Sequence, residues 1–135
     1  MARFETEGLD ELIESLTELD SAVQDVLMKN MLDAGGNAAV KEWKEGIERH
    51  GHVDTGTMRD SVRKSKKGDN KRVVYPKGKD SKGVRNAQKA YVLHYGRSNI
   101  QGDRFIDEIE ERAEEKVLNA MENKFDKFLR ERGLI

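Results

Sequence analysis

The sequence predicts an α+β fold, with helices covering one face of a small sheet. Three observations point to it. Apolar residues recur at helical spacing near both ends of the chain. The middle carries two short strand-like runs around the hairpin sequence "KKGDN". Charge changes sign where the helical pattern gives way to the strand pattern.

The elements follow in order. Leu9, Leu12, Ile13, Leu16 and Leu19 recur at helical spacing with acids between them, which predicts an amphipathic helix. Asp20-Ser21 offers a cap for a second, longer helix. Its apolar face would use Ala22, Val23, Val26, Leu27, Met31, Leu32, Ala38, Ala39, Trp43 and Ile47. Gly35-Gly36 interrupts that face. Two glycines cost a helix interior about 2 kcal/mol relative to alanine, so a kink or tight helix packing is expected there. Gly51 is a candidate C-cap. Val62 opens one short strand and "KRVVYP" reads as another, with Gly68, Asp69 and Asn70 available for the turn. Pro76 ends the second strand or places it at an edge. "KGKDSKGVRN" reads as a mobile basic loop, and the flexible basic region as a whole spans about residues 64–89. "AQKAYVLHYGRSN" fits a short helix ending at Gly96 or a strand; alternation alone does not decide. Phe105, Ile106, Ile109, Ala113, Val117, Ala120, Met121, Phe125 and Phe128 define a long last helix, with Asp103 as N-cap and Gly133 near its end.

At 135 residues the chain reads as a single domain, residues 1–135. It is 38% charged and 36% hydrophobic, so the core is small, and oligomer contacts would relieve the shortage. Without cysteine there are no disulfides or thiolate metal sites. No apolar run approaches the roughly 20 residues of a membrane span, and the N-terminus lacks a secretory h-region. A soluble, cytoplasmically made protein without membrane partners is expected. The net charge of −1 hides segregation: residues 1–58 carry −8, residues 59–104 carry +10 and residues 105–135 carry −3. That asymmetry suggests a charged partner, or like subunits docking basic to acidic surfaces.

"VDTGTMRDSV", Val53 to Val62, contains the Asp-Thr-Gly of aspartic proteases. Such enzymes pair two carboxylates around one proton, each loop held at the end of a hydrophobic strand. Here the polar end of a helix precedes the motif, and the downstream apolar strand is missing. A capped turn explains the stretch better. Asp54 or Thr55 accepts a backbone N–H, Gly56 gives backbone freedom, and Met58 and Val62 are buried anchors four residues apart. His50-x-His52 lacks an evident third metal ligand, "GKDSKG" lacks phosphate-loop spacing, and no Ser/His/Asp arrangement stands out. No enzyme and no cofactor is expected.

The basic middle offers Lys64, Lys66, Lys67, Lys71, Arg72, Lys77, Lys79, Lys82, Arg85 and Lys89 to a protein partner or to DNA phosphates. A base-reading helix and stacking aromatics are not evident, and at least two of Tyr75, Tyr91 and Tyr95 are expected in the core. Non-specific DNA binding is the alternative to a structural role.

"GLDELIESLTEL", "TGTMRDSV", "AYVLHYGRSN" and "DRFIDEIEE" occur in an order that resembles a family of bacteriophage morphogenesis proteins. These are the tail-component, head-to-tail joining proteins of long-tailed phages and prophages, which act in tail completion or at the neck. The resemblance maps the first family box onto Thr55, Gly56, Met58, Arg59, Asp60 and Ser61. The second falls on Tyr91, Val92, His94, Tyr95 and Gly96, and the third on Phe105 and Ile106. The chain departs from the family at Val53-Asp54, where proline often precedes the box. It departs again at His94, where glutamate is usual, and at Arg104, where proline is common. The resemblance implies a structural virion protein with no catalytic residue or cofactor. It implies a subunit of a six- or twelve-fold homo-oligomeric ring, partnered by other neck, tail-terminator or tail-tube proteins. The basic region would then meet an acidic neighbour or DNA passing through the channel.

Overall fold

The computed structural model describes residues 21–68 and 70–132. The helix expected over Leu9–Leu19, the cap at Asp20, Asp69 of the hairpin turn and Gly133 lie outside the described residues. Helix α1 spans Ser21–Arg49 and helix α4 spans Phe105–Glu131; between them come helix α2 (Thr57–Asp60), strands β1 (Val62–Lys66) and β2 (Arg72–Pro76), helix α3 (Asn86–Tyr95), and strands β3 (Gly96–Arg97) and β4 (Ile100–Gln101). The α+β expectation holds: long helices bracket small antiparallel strand pairs.

The two long helices make the body of the core, and their sequences show why. On α1 the buried row is Leu27, Met31, Gly35, Ala39, Trp43 and Ile47. On α4 it is Phe105, Ile109, Ala113, Val117, Met121 and Phe125. Both rows step by four, forming the ridges that interdigitate when helices pack. The helices run antiparallel, since Gly35 faces Val117 and Met121 while Gly46 faces Ile109. Of the two outcomes expected at Gly35-Gly36, tight packing is the one found: α1 continues through both glycines, and Gly36 lies under the Lys64 side chain. Glu42 joins this interface fully buried, held by Arg49 at 3.2 Å and Lys116 at 2.6 Å. Near the start of α1 the apolar pattern overshoots, because Ala22 and Val26 are exposed.

Helix α1 ends as its sequence suggests. Gly51 has φ +72°, His52 N–H donates to Ile47 O and Gly51 N–H donates to Glu48 O, the bond pair of a Schellman cap. The β1–β2 hairpin then lies against α1, with Val62 opposite Pro76 and Lys66 opposite Arg72. Val62, Val73 and Val74 are buried, and Arg72 donates to Asp33 of α1 at 2.9 Å. The expectation for "KRVVYP" is met, with Pro76 closing the strand.

The described residues of 64–89 hold most of the hairpin, a turn built on Asp80 and the start of α3. Asp80 accepts the backbone N–H groups of Lys82 and Val84 at 2.9 Å each and pairs with Lys89 at 2.5 Å. "AQKAYVLHYG", open between helix and strand on sequence, is helix. It stops at Gly96, whose φ of +83° and ψ of 179° belong to a region that only glycine enters readily. Asp103 accepts the N–H of Phe105, but the N-cap of α4 is Arg104, at φ 58° and ψ 30°, so the cap expected at Asp103 falls one residue later.

Candidate functional site

The Thr-Gly box connects the Schellman cap of α1 to β1. Thr55 Oγ1 accepts the N–H of Thr57 at 3.4 Å and lies 2.6 Å from the Thr57 hydroxyl. Gly56 has φ +84°, which lets the chain reverse into the single turn of α2. Ser61 donates to Met58 O at 2.7 Å, while Met58 and Val62 enter the core as expected. Arg59 faces outward, pairing with Asp60 and with Glu48 of α1. The Arg59 guanidinium holds the Asp60 carboxyl below its ordinary value. Asp54 is exposed in a connector between two helices, with no strand behind the Asp-Thr-Gly.

Packing α3 and the Asp80 turn beside the box leaves a cleft of about 440 Å³. Met58, Val92 and Leu93 supply apolar surface, and His52, Asp54, Thr55, Lys82, Lys89 and Arg97 supply polar atoms. The sequence flagged the box and Val92, but not Leu93, Gln88 or Asp80 as neighbours of it. Asp80 carried a usable signal, an acid followed within three residues by Gly83, whose φ of +81° closes the turn. The Lys89 ammonium beside Asp80 is the main reason its carboxyl sits below the usual carboxylate range.

The two other family boxes part company. Phe105 is fully buried, edge-on to His52 at 4.7 Å and near His50 and His94. Tyr91 and Tyr95, by contrast, are 62% and 54% exposed. The expectation that at least two of the three tyrosines are core is therefore overturned. Spaced four apart, the two pack on the outer face of α3 with ring centroids 4.5 Å apart and planes tilted by 45°, and Arg104 covers Tyr95 at 5.3 Å. The inner face of that helix is taken by Asn86, Ala90 and His94 instead.

His50 and His52 do not converge on a third ligand; each is tied to the start of α4. His50 Nε2 lies 2.6 Å from Glu108, and His52 Nε2 lies 2.6 Å from Asp103. Among the described residues no group of three or more ligating side chains could hold a metal ion. His94 Nδ1 accepts the N–H of Ile106 at 3.2 Å, which makes this histidine a cap for α4. Burial pushes its imidazole below the ordinary value, with Asp107 pulling the other way.

The ten basic residues separate into two groups. Lys64 and Arg72 pair with Asp33, Lys77 donates to Ser65 and Lys89 pairs with Asp80. Lys66, Lys67, Lys71, Lys79, Lys82 and Arg85 are exposed, along the hairpin end and the loop before α3. No helix among the described residues is long and apolar enough to cross a membrane.

Comparison with known proteins agrees with the ordered boxes. The family model described as "Bacteriophage HK97-gp10, putative tail-component" matches residues 10–97, from the acidic leucine-rich segment through the box and α3. No curated protein and no solved structure matches the chain with significance. The matched stretch covers about two thirds of the sequence, and the chain belongs to the HK97-gp10 family of bacteriophage tail components.

Proposed function

We propose that this tail component is a structural subunit of a homo-oligomeric ring at the neck or upper tail, acting in tail completion or head–tail joining within the virion. The observation that carries this reading is the open face made by α3. Two tyrosines in ring contact, an arginine over one of them and an apolar cleft lie side by side on a chain with a small core. Tyrosine and arginine are the residues that anchor protein interfaces. Charge segregation adds direction: a basic face on one copy meets an acidic face on the next, and a head-to-tail contact closes into a ring when the rotation allows. No step of this role calls on a catalytic residue.

The test is genetic and visual. A phage lacking the gene is expected to give normal heads with incomplete or unattached tails in electron micrographs. Intact virions at wild-type titre would overturn the proposal. Mass photometry of the purified chain is expected to show one closed oligomer rather than a series of growing lengths.

A further inference from the structure

The cleft between the Thr-Gly box and α3 is apolar below and charged at its edge, and the sequence itself contains a segment of the matching kind. We propose that it receives the acidic, leucine-bearing segment Leu9–Leu19 of a second copy of this chain. This rests on the ring reading above and names the contact that would build the ring.

The chemistry of the two sides corresponds. Met58, Val92 and Leu93 give the cleft an apolar floor. Lys89 is occupied by Asp80, which leaves Lys82 and Arg97 as cations at the edge; neither carries an ion pair among the described residues. Among the described residues, Asp54 is the one acid lining the same space without an ion pair. Residues 1–20 contain seven acids and one arginine, so their charge suits a cationic edge. Leu9, Leu12, Ile13 and Leu16 fall at i, i+3, i+4 and i+7, the anchor spacing with which an amphipathic helix fills a hydrophobic groove. The cleft's 440 Å³ is of the size that admits apolar anchors, since binding clefts run from about 300 to 1,000 Å³.

Reach decides which copy supplies the segment. It joins α1 at Ser21, whereas the cleft begins at His52, beyond the opposite end of that helix. The 29 residues of α1 cover about 43 Å at the helical rise of about 1.5 Å per residue. Leu16 stands five residues before Ser21, a span of no more than about 18 Å even for fully extended chain, so the set of anchors ending at Leu16 falls short of the cleft on its own chain. A neighbour's segment has no such limit. The resulting contact uses a different surface on each copy, which is the head-to-tail arrangement that generates rings.

The absence of cysteine makes the test clean. The full chain carrying Leu16→Cys and Val92→Cys is oxidised and run on a non-reducing gel. A ladder of disulfide-linked multimers that collapses on reduction is expected. Mixing the two single variants should give the mixed dimer in excess over either homodimer. Leu12→Cys with Gln88→Cys, the latter on the exposed rim of the cleft, repeats the experiment should Val92→Cys disturb packing. Light scattering on the reduced proteins reports assembly independently. A monomer closed by an internal disulfide overturns the proposal in favour of the chain's own segment. Oligomers that form without a cross-link at either pair overturn it while leaving the ring reading standing, and point to another protein in the cleft. A chain that stays monomeric and uncross-linked at every concentration overturns both.

Discussion

A β-carbon added to Gly46 would lie 2.3 Å from Cγ1 and 2.7 Å from Cδ1 of Ile109, so α1 and α4 meet there with backbone against side chain. Nothing at this contact can move cheaply, because Ile109 is fully buried and Gly46, in the last turn of α1, is buried against it. Gly46→Ala therefore sets a gain against a loss. The helix gains about 1 kcal/mol from losing a glycine, and overpacking costs about 1–3 kcal/mol. A net loss of about 1–2 kcal/mol is expected. At Gly36 the added carbon would meet only the Lys64 side chain, at 3.1 Å from Cδ, whose flexible far end swings aside. Gly36→Ala should therefore raise stability by up to about 1 kcal/mol. Thermal melts of the two variants should shift in opposite directions by a few degrees. A stabilised Gly46→Ala would show that the helices are farther apart.

His94 makes stability depend on pH through its place at the start of α4. Its Nδ1 accepts the Ile106 N–H, so the neutral ring carries its proton on Nε2. Burial lowers its pKa from the ordinary value of 6.5. The unfolded chain then binds a proton at higher pH than the folded one does. The contribution is complete above about pH 6.5 and is lost as pH falls through the depressed folded value. Melting temperature is expected to drop between pH 7.5 and 5 more steeply in the wild type than in His94→Gln. Comparing the two slopes cancels contributions common to both proteins. Equal slopes would mean that His94 is protonated as readily folded as unfolded.

Much of this fold is written in local patterns. Residues of the four-residue rows on α1 and α4 are visible as periodicity, and Gly51 as a cap. "KKGDN" between two β-rich runs gives the hairpin. What the sequence hides is orientation on short elements. Tyr91 and Tyr95 look like core residues, yet ten residues of α3 give too few turns for periodicity to say which face is inner. Contact with α2 and β2 decides it, burying Ala90 and His94 and turning the tyrosines out. The site is hidden for a related reason. Asp80 and Lys89 are nine apart in sequence and adjoin the Thr-Gly box only because the chain folds back after β2. No spacing rule joins them. The basic cluster, read as ten equivalent cations, is likewise divided by long-range partners such as Asp33.

Glu42 is the one fully buried carboxylate among the described residues, and its two cations come from different places. Arg49 lies two turns on along α1, while Lys116 reaches across from α4. Removing both cations strands a charge in the interface, which costs about 3 kcal/mol or more. Removing the carboxylate as well takes away the stranded charge. Arg49→Met with Lys116→Met should be strongly destabilised, and adding Glu42→Leu should recover most of the loss. The coupling between the sites, read by denaturant titration of each member of the cycle, should be well above the error of additivity. Additive effects would show that Glu42 is hydrated in solution.

Contact with DNA, where it occurs, falls to the cations that the fold leaves unpaired. Lys67, Lys71, Lys79, Lys82 and Arg85 are exposed and carry no ion pair among the described residues. Lys64, Arg72 and Lys89 are engaged by Asp33 and Asp80 and would have to give up a partner to reach a phosphate. Each phosphate neutralised contributes about 0.9 to the slope of log affinity against log salt. Contact through these five would give a slope of about 4.5, and binding should fade steeply between about 50 and 200 mM salt. Lys82→Gln is expected to lower the slope by about one, whereas Lys89→Gln should leave it unchanged. Fluorescence anisotropy of a labelled duplex measures both. No binding at 50 mM salt would remove DNA as a partner and leave the exposed cations to an acidic protein surface. A slope that falls equally in both variants would show that the Asp80–Lys89 pair opens on DNA.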